Sequence, residues 1–442
     1  MKTIVLSLLM CSLFAVNFAF AQNKTKEETA RMQWFSDAKL GIFIHWGIYA
    51  VNPTSESWAF HNKHISHADY MKQINGFTAK NYKPQDWAAL IKSSGARYCV
   101  ITSKHHDGVA LWDTKMNDLS IPKKSPAHRD VLTPFVSALR ENNLKVGLYY
   151  SLIDWSYPDY PGFLKDSNRY DAAEDPVRWG RFLKFCHGQI KELLSQYNPD
   201  LMWFDGDWEH SAGEWRADYI RSLILKSNAN TIINSRLQGY GDYDTPEQNF
   251  PISRPNSANW ELCMTTNDSW GYAADEDTNY KTPYEIISIF ADAISMGGNL
   301  LLDIGPMQDG TIPPQQVNIL QELGKWTNKH SEAIFGTVAG MPHGHFYGST
   351  TLSKDSTSLY LFLPAHTSGD ITIKGLNTEI KNISVVGSNT PLTWKIVGKI
   401  SWSKVPGLVY IHVPAAVNDT YMTVVKVALK KPIRLYADKG GL

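Results

Sequence analysis

The chain has 442 residues, with 43 Lys and Arg balanced by 43 Asp and Glu, so its formal net charge is zero. Nucleic acid and anionic membranes both call for an excess of positive charge, and neither is expected as a partner. Apolar residues make up 43% and charged residues only 19%, which excludes a disordered chain and allows a large core. Residues 1–21 read as a signal peptide. Lys2 supplies the positive start, Ile4 to Phe20 is almost unbroken apolar, and Ala19-Phe20-Ala21 is a cleavage site before Gln22. The expectation is an exported protein, periplasmic or secreted, with no membrane span after cleavage. It keeps Cys99, Cys186 and Cys263. These are too few for a disulfide framework and lack a C-x-x-C pair for zinc, so they read as buried small residues.

From Lys39 to about Ser331, short apolar runs alternate with helical stretches. Strands are expected at Leu40–His45, Tyr98–Ser103, Val146–Ser151, Leu201–Phe204, Thr231–Asn234, Glu261–Met264 and Leu300–Ile304. They lack in/out alternation, as strands buried on both faces do. Helices are expected at Pro84–Ser94, Val131–Asn142, Pro176–Tyr197, Glu214–Ser227, Tyr284–Met296 and Pro314–His330. Pro84, Pro176 and Pro314 mark starts, and Gly95 and Gly297 mark stops. This alternation predicts parallel strands with crossover helices, closed as a (β/α)8-like barrel over residues 22–338, since no Gly-rich dinucleotide loop is present. Beyond Gly336–Gly348 the helical period is lost. Leu359–Leu363, Ile371–Ile373, Ile383–Val386, Trp394–Val397, Leu408–Val413 and Met422–Val427 are separated by turn residues. They predict an antiparallel β-sandwich over residues 339–442.

In such a barrel, catalytic side chains sit where strands end. His45 closes the first strand, His105-His106-Asp107 the second, and Asp205 follows Leu201–Phe204, while Tyr150, Arg236, Glu247 and Glu261 lie near later ends. A carboxylate after four apolar residues is costly unless it is used or caps a helix, so Asp205 carries the most information. With Glu247 or Glu261 it offers the two carboxylates of glycoside cleavage, one attacking the anomeric carbon and one protonating the leaving oxygen. His105-His106 reads as hydroxyl recognition, as part of a metal site, or as one structural and one exposed residue. Aromatics are 12% of the chain, and Trp46, Trp58, Trp203 and Trp260 beside polar strand ends are candidate stacking surfaces, with core packing the ordinary fate of a Trp.

These residues lie in stretches that resemble glycoside hydrolase family 29, the α-L-fucosidases. The stretches are Lys39–Gly47, Lys104–Gly108, Gly147–Ser151, Trp203–Gly206, Thr245–Glu247, Trp260–Cys263, Ser269–Tyr272 and Gly298–Pro306, in family order. The resemblance implies a barrel followed by a sandwich, and retaining hydrolysis of terminal α-L-fucose from fucosylated glycans without metal or organic cofactor. It implies Asp205 as nucleophile and Glu247 as acid/base, with Glu261 as runner-up. For hydroxyl recognition it implies His45, His105, His106, Tyr150 and Arg236, with Trp58 as a ring near the sugar. Many members read Ser-Glu-Trp after the first strand, whereas this chain reads Ser55-Glu56-Ser57-Trp58, so Glu56 reaches the sugar only from a shifted backbone. Phe43, Phe60 and Trp203 are candidates for an apolar wall against the fucose methyl, which would reject a hydroxylated hexose. Two rivals are a catalytically idle carbohydrate-binding protein on the same scaffold and a zinc hydrolase built on His45, His105, His106 and Asp107.

Overall fold

The structure, a computed structural model, describes residues 30–274 and 279–436. The expected signal peptide lies outside them. Seven parallel strands form the first sheet. They are β1 (Leu40–Ile44), β2 (Tyr98–Lys104), β3 (Lys145–Ser151) and, after the small hairpin β4 (Gly162–Leu164) and β5 (Ser167–Asn168), β6 (Leu201–Asp205), β7 (Ile232–Ile233), β8 (Glu261–Thr265) and β9 (Asn299–Ile304). Their order is β7-β6-β3-β2-β1-β9-β8. The gap between β7 and β8 is spanned by residues 243–247. Asn234 bridges Tyr243, Asp244 bridges Trp260, and Glu247 bridges Cys263, all in parallel sense. Pro246 suits this place: it has no N–H to donate, and its carbonyl accepts from Cys263 N at 3.0 Å. The eighth barrel position is thus a polar, proline-containing segment with loops rather than helices on both sides. That is why no eighth strand is legible as an apolar run.

The long helices stand where the sequence predicts them: Pro84–Ser93, Leu132–Glu141, Pro176–Tyr197, Ala217–Ser227, Pro283–Ser295 and Pro314–Lys329. Four begin with Pro in the first turn, where the missing N–H costs nothing. Thr282 and Glu285 close a capping box on one of them. Along each strand, alternate side chains point into the barrel. Phe43, Tyr98, Val100, Tyr149, Leu201, Trp203, Cys263 and Leu301 form one interior cluster, plugged from below by Met32, Phe35 and Ala38 of a helix over residues 30–38. Ile42, Leu148, Tyr150, Met202, Phe204 and Leu262 point outward against the helices.

The rest of the described chain is antiparallel. One sheet joins β10 (Val338–Ala339), β11 (Thr350–Leu352), β12 (Ser358–Leu363), β14 (Ile380–Val385) and β17 (Thr423–Leu429), in the order β10-β11-β12-β17-β14. The other joins β13 (Gly369–Ile373), β15 (Trp394–Val397) and β16 (Leu408–Val413), in the order β13-β16-β15. Leu359, Leu361, Ile383, Val425 and Val427 of the first sheet pack against Ile371, Ile373, Val409 and Ile411 of the second. The opposite face of β12 and β17 covers the barrel helices, where Trp326 Nε1 donates to Met422 O at 2.9 Å. Cys99, Cys186 and Cys263 are free and buried. Among the described residues no helix is long and apolar enough to cross a membrane.

Candidate active site

A pocket of about 240 Å3 opens at the C-terminal ends of the barrel strands, the face on which such barrels place their chemistry. Its buried floor is Phe43, His45, Glu56, His105, Tyr149, Trp203 and Asp205, and its rim is Trp58, Trp208, Arg236, Glu247 and Trp270. A larger hollow of about 640 Å3 lies between the helix Pro283–Ser295 and the sandwich, but it draws nothing from the strand ends and is lined mainly by apolar groups.

Asp205 ends β6 with its side chain inward. Its Oδ1 accepts from Arg236 Nη1 at 2.7 Å and its Oδ2 from the Tyr149 hydroxyl at 2.9 Å. The same guanidinium donates Nη2 to Glu247 Oε2 at 2.5 Å and lies 4.6 Å above the Trp203 ring. One planar fork therefore holds both carboxylates. The two bonds differ in strength: Asp205 is 11% exposed and Glu247 40%, and an exposed pair is worth only ~0–1 kcal/mol. Glu247 is the carboxylate that can let go.

The three histidines are each oriented through Nδ1. His45 is 2.7 Å from Asp303 Oδ1, His105 is 2.6 Å from Ser57 Oγ, and His106 is 2.6 Å from Ser151 Oγ. Burial holds the His45 and His106 pKa values well below the ordinary imidazole range and brings His105 down to about 4, so all three are neutral near pH 7. Ser151 gives its proton to Ile153 O at 2.7 Å, so neutral His106 donates from Nδ1. Its Nε2 is then an acceptor, 3.7 Å from Asp205 Oδ2. His106 stands one step behind the pocket wall. Of the residues of the zinc reading, Asp107 is turned away from the histidines, accepting from Tyr70 and from Val109 N. Among the described residues no group of three or more His, Cys, Asp or Glu is arranged to hold a metal.

Glu56 does reach the pocket. Its Oε1 accepts from Gly271 N at 2.7 Å, and burial pushes its pKa up to about 7. The extra residue between Glu56 and Trp58 is absorbed by Ser57, whose side chain serves His105. Trp58 and Trp203 line the pocket as expected. Tyr150 does not and is corrected to Tyr149. Tyr150 points outward and donates to Gln189 Oε1 at 2.9 Å, under the Lys104 ammonium. Glu261 is also not brought to the site. It is fully buried in the barrel, accepting from Tyr98 at 2.5 Å, Trp203 Nε1 at 3.1 Å and Tyr243 at 3.5 Å. Trp46 and Trp260 belong to the core, and Phe60 packs against Tyr70 and His67. Tyr149, Ser57, Trp208, Trp270 and Asp303 escape the sequence reading. Trp270 and Asp303 fall in stretches that carry the resemblance, with no feature of their own to single them out.

A (β/α)8-like barrel with paired carboxylates, oriented imidazoles and aromatic walls in one small pocket defines a glycoside hydrolase. A family model described as Alpha-L-fucosidase matches residues 14–332, and the chain belongs to that family. It is similar to the tissue α-L-fucosidase of Homo sapiens, with 30% identity over 401 residues and 82% of each chain covered. Among solved structures it is similar to α-L-fucosidase isoenzyme 1 of Paenibacillus thiaminolyticus, with 31% identity, TM-score 0.82, and 92% and 100% of the two chains covered. A family 29 α-L-fucosidase of Bacteroides thetaiotaomicron, solved as a trapped covalent intermediate, aligns with 26% identity and TM-score 0.81, covering 91% and 96%.

Proposed function

We propose that this chain is an exported, retaining exo-α-L-fucosidase that removes terminal fucose from glycans by double displacement. The carrying observation is the Arg236 fork, which sets Asp205 at the buried end of the pocket and Glu247 at its mouth. In the first step an Asp205 oxygen bonds to the anomeric carbon while the bond from that carbon to the leaving oxygen breaks. Glu247, released from Arg236 and protonated, gives its proton to that oxygen. In the second step Glu247 takes a proton from water, the water oxygen attacks the anomeric carbon, and the carboxylate of Asp205 is freed. The trapped covalent intermediate of the Bacteroides relative, obtained with a Glu-to-Gln variant, supports this order of events.

The remaining groups suit a 6-deoxy sugar. Phe43 stands 5.1 Å from Trp203 and 6.1 Å from Trp270, ring centre to ring centre. These three aromatic rings form a wall suited to a methyl group, which disfavours the hexose that carries a hydroxyl there. His45 and His105, whose rings line the pocket, supply directional contacts to the ring hydroxyls together with Glu56 and Trp58. Residues 22–338 are proposed as the catalytic domain and 339–442 as the sandwich that covers it. An idle sugar-binding protein on this scaffold is free to lose one of the two carboxylates, and here Asp205 and Glu247 are both kept on the Arg236 fork. The testing experiment is hydrolysis of an aryl α-L-fucoside followed by NMR. α-L-fucose is expected as the first-formed anomer, and mainly β-fucose would overturn the double displacement.

A further inference from the structure

The segment Asp205-Gly206-Asp207-Trp208-Glu209 turns sharply after β6. Gly206 adopts φ +80°, and a Cβ there would stand 2.6 Å from Ile153 Cγ1, so only Gly fits. The two acids beside Trp208 are tied inward. Asp207 Oδ2 accepts from Gln238 N at 2.7 Å, and its carbonyl accepts from Trp215 Nε1 at 2.9 Å and Gln238 Nε2 at 2.8 Å. Glu209 accepts from Trp155 Nε1 at 3.2 Å and from the Tyr160 hydroxyl. The mount is fixed, yet the indole it presents is 50% exposed, the most exposed ring in the pocket lining.

A lone exposed ring needs no explanation, but Trp208 is not alone. Trp58 is held edge-on by His61, His106 and Trp155, and Trp208 lies nearly parallel to it, at 14° and 6.5 Å between centroids. The aromatic wall is thereby continued outward past the rim. The pocket, at about 240 Å3, is smaller than the ~300–1,000 Å3 that encloses a larger ligand, so it takes one sugar ring. Whatever that ring is attached to must lie on the rim, because Glu247 waits there for the leaving oxygen. We infer that Trp208 is the platform for the leaving sugar, a pyranose laid with an apolar C–H face on the indole. This rests on the fucosidase reading above and extends it to the group that fucose leaves. A rigid aromatic with few rotatable bonds suits such a contact, since little freedom is lost on binding.

The test compares two substrates across three proteins. α-L-fucosyl fluoride has a leaving group without a ring. The second substrate is the α-linked fucosyl-galactose disaccharide that the unaltered enzyme cleaves fastest. In Trp208→Ala, kcat/KM on the disaccharide is expected to fall roughly 10- to 100-fold more than on the fluoride, and Trp208→Phe to regain most of that difference. Equal losses on the two substrates would overturn the inference, placing Trp208 with the fucose pocket or the fold. No loss on either would overturn it as well. Inactivity of the unaltered enzyme on the fluoride would instead remove the fucosidase reading and this inference together, an outcome distinct from the other two.

Discussion

Tyr149 donates its hydroxyl proton to Asp205 Oδ2 at 2.9 Å, while Tyr150, its neighbour in the chain, turns away to Gln189. Pairing of β3 with β6 sets this phase, because Tyr149 lies beside Trp203 and Ser151 beside Asp205. Replacing either tyrosine by Phe removes one hydroxyl, but the consequences diverge. Tyr149→Phe takes away one of the two donors on Asp205 and is expected to lower kcat by roughly 10- to 100-fold, on the scale of one electrostatic donor in a dry site. Tyr150→Phe leaves Gln189 short of a partner and is expected to cost ~1 kcal/mol of stability, with kcat within about threefold. Steady-state kinetics and urea titration of the two variants check this. A larger kcat loss in Tyr150→Phe would reverse the assignment.

Asp205→Asn keeps the size of the side chain and removes its charge. Arg236 still has Glu247 to pair with, so the fold is expected to survive, with unchanged circular dichroism. Loss of the proposed nucleophile is expected to reduce kcat on an aryl fucoside by several orders of magnitude. A variant that kept most of its activity would remove Asp205 from the mechanism.

The barrel was legible because its strands are apolar runs closed by polar residues. Leu201–Phe204 followed by Asp205 is the clearest case. Where that pattern fails, so does the reading. Asp244-Thr245-Pro246-Glu247 forms the eighth barrel position through isolated bridges, without a run of apolar residues to announce it. Two adjacent tyrosines cannot reveal which faces inward until the register with β6 is known. Trp46 sits beside His45 in the chain, yet its indole turns to Met307 O at 2.9 Å and joins the core, the ordinary fate of a tryptophan. Trp208 gave no signal because its importance lies in being parallel to Trp58, a residue 150 positions away in the chain.

The raised pKa of Glu56 makes stability depend on pH with a definite sign. Its folded value is pushed up to about 7 by burial, against an ordinary value of 4.5. The folded state thus binds the proton more tightly than the unfolded chain. Its stabilising contribution is complete below about pH 4.5 and is lost as pH rises through about 7. Glu56→Gln has no proton to lose. Between pH 4.5 and 7.5 the unaltered protein is expected to lose on the order of 3 kcal/mol relative to this variant, measured by urea titration. Parallel stability curves for the two proteins would mean that Glu56 stays ionised in the folded state.

Glu247 and Glu261 are the two candidates for the acid/base, and their surroundings predict opposite phenotypes. Glu261 is enclosed by Tyr98, Trp203 and Tyr243 inside the barrel, and burial pushes its pKa up to about 7. It supports Trp203 from below and has no opening to the leaving group. Glu261→Ala would strand three buried donors and is expected to destabilise the protein by roughly 3–5 kcal/mol. Glu247 is 40% exposed and its carboxylate is held by Arg236, so Glu247→Ala is expected to leave stability within about 1 kcal/mol. Its cost falls on catalysis, and it depends on how much help the leaving group needs. A general acid contributes ~10²–10⁴-fold. Oligosaccharides, whose leaving alkoxide is a strong base, should suffer most of that loss, while the first step on an acidic aryl fucoside is spared. Azide needs no general base, so adding it should intercept the covalent intermediate, raise the rate and yield α-fucosyl azide from the face that the carboxylate left. If Glu261→Ala showed this rescue and Glu247→Ala did not, the acid/base would be Glu261, reached by a rearrangement of the barrel floor, and Asp205 would keep its role.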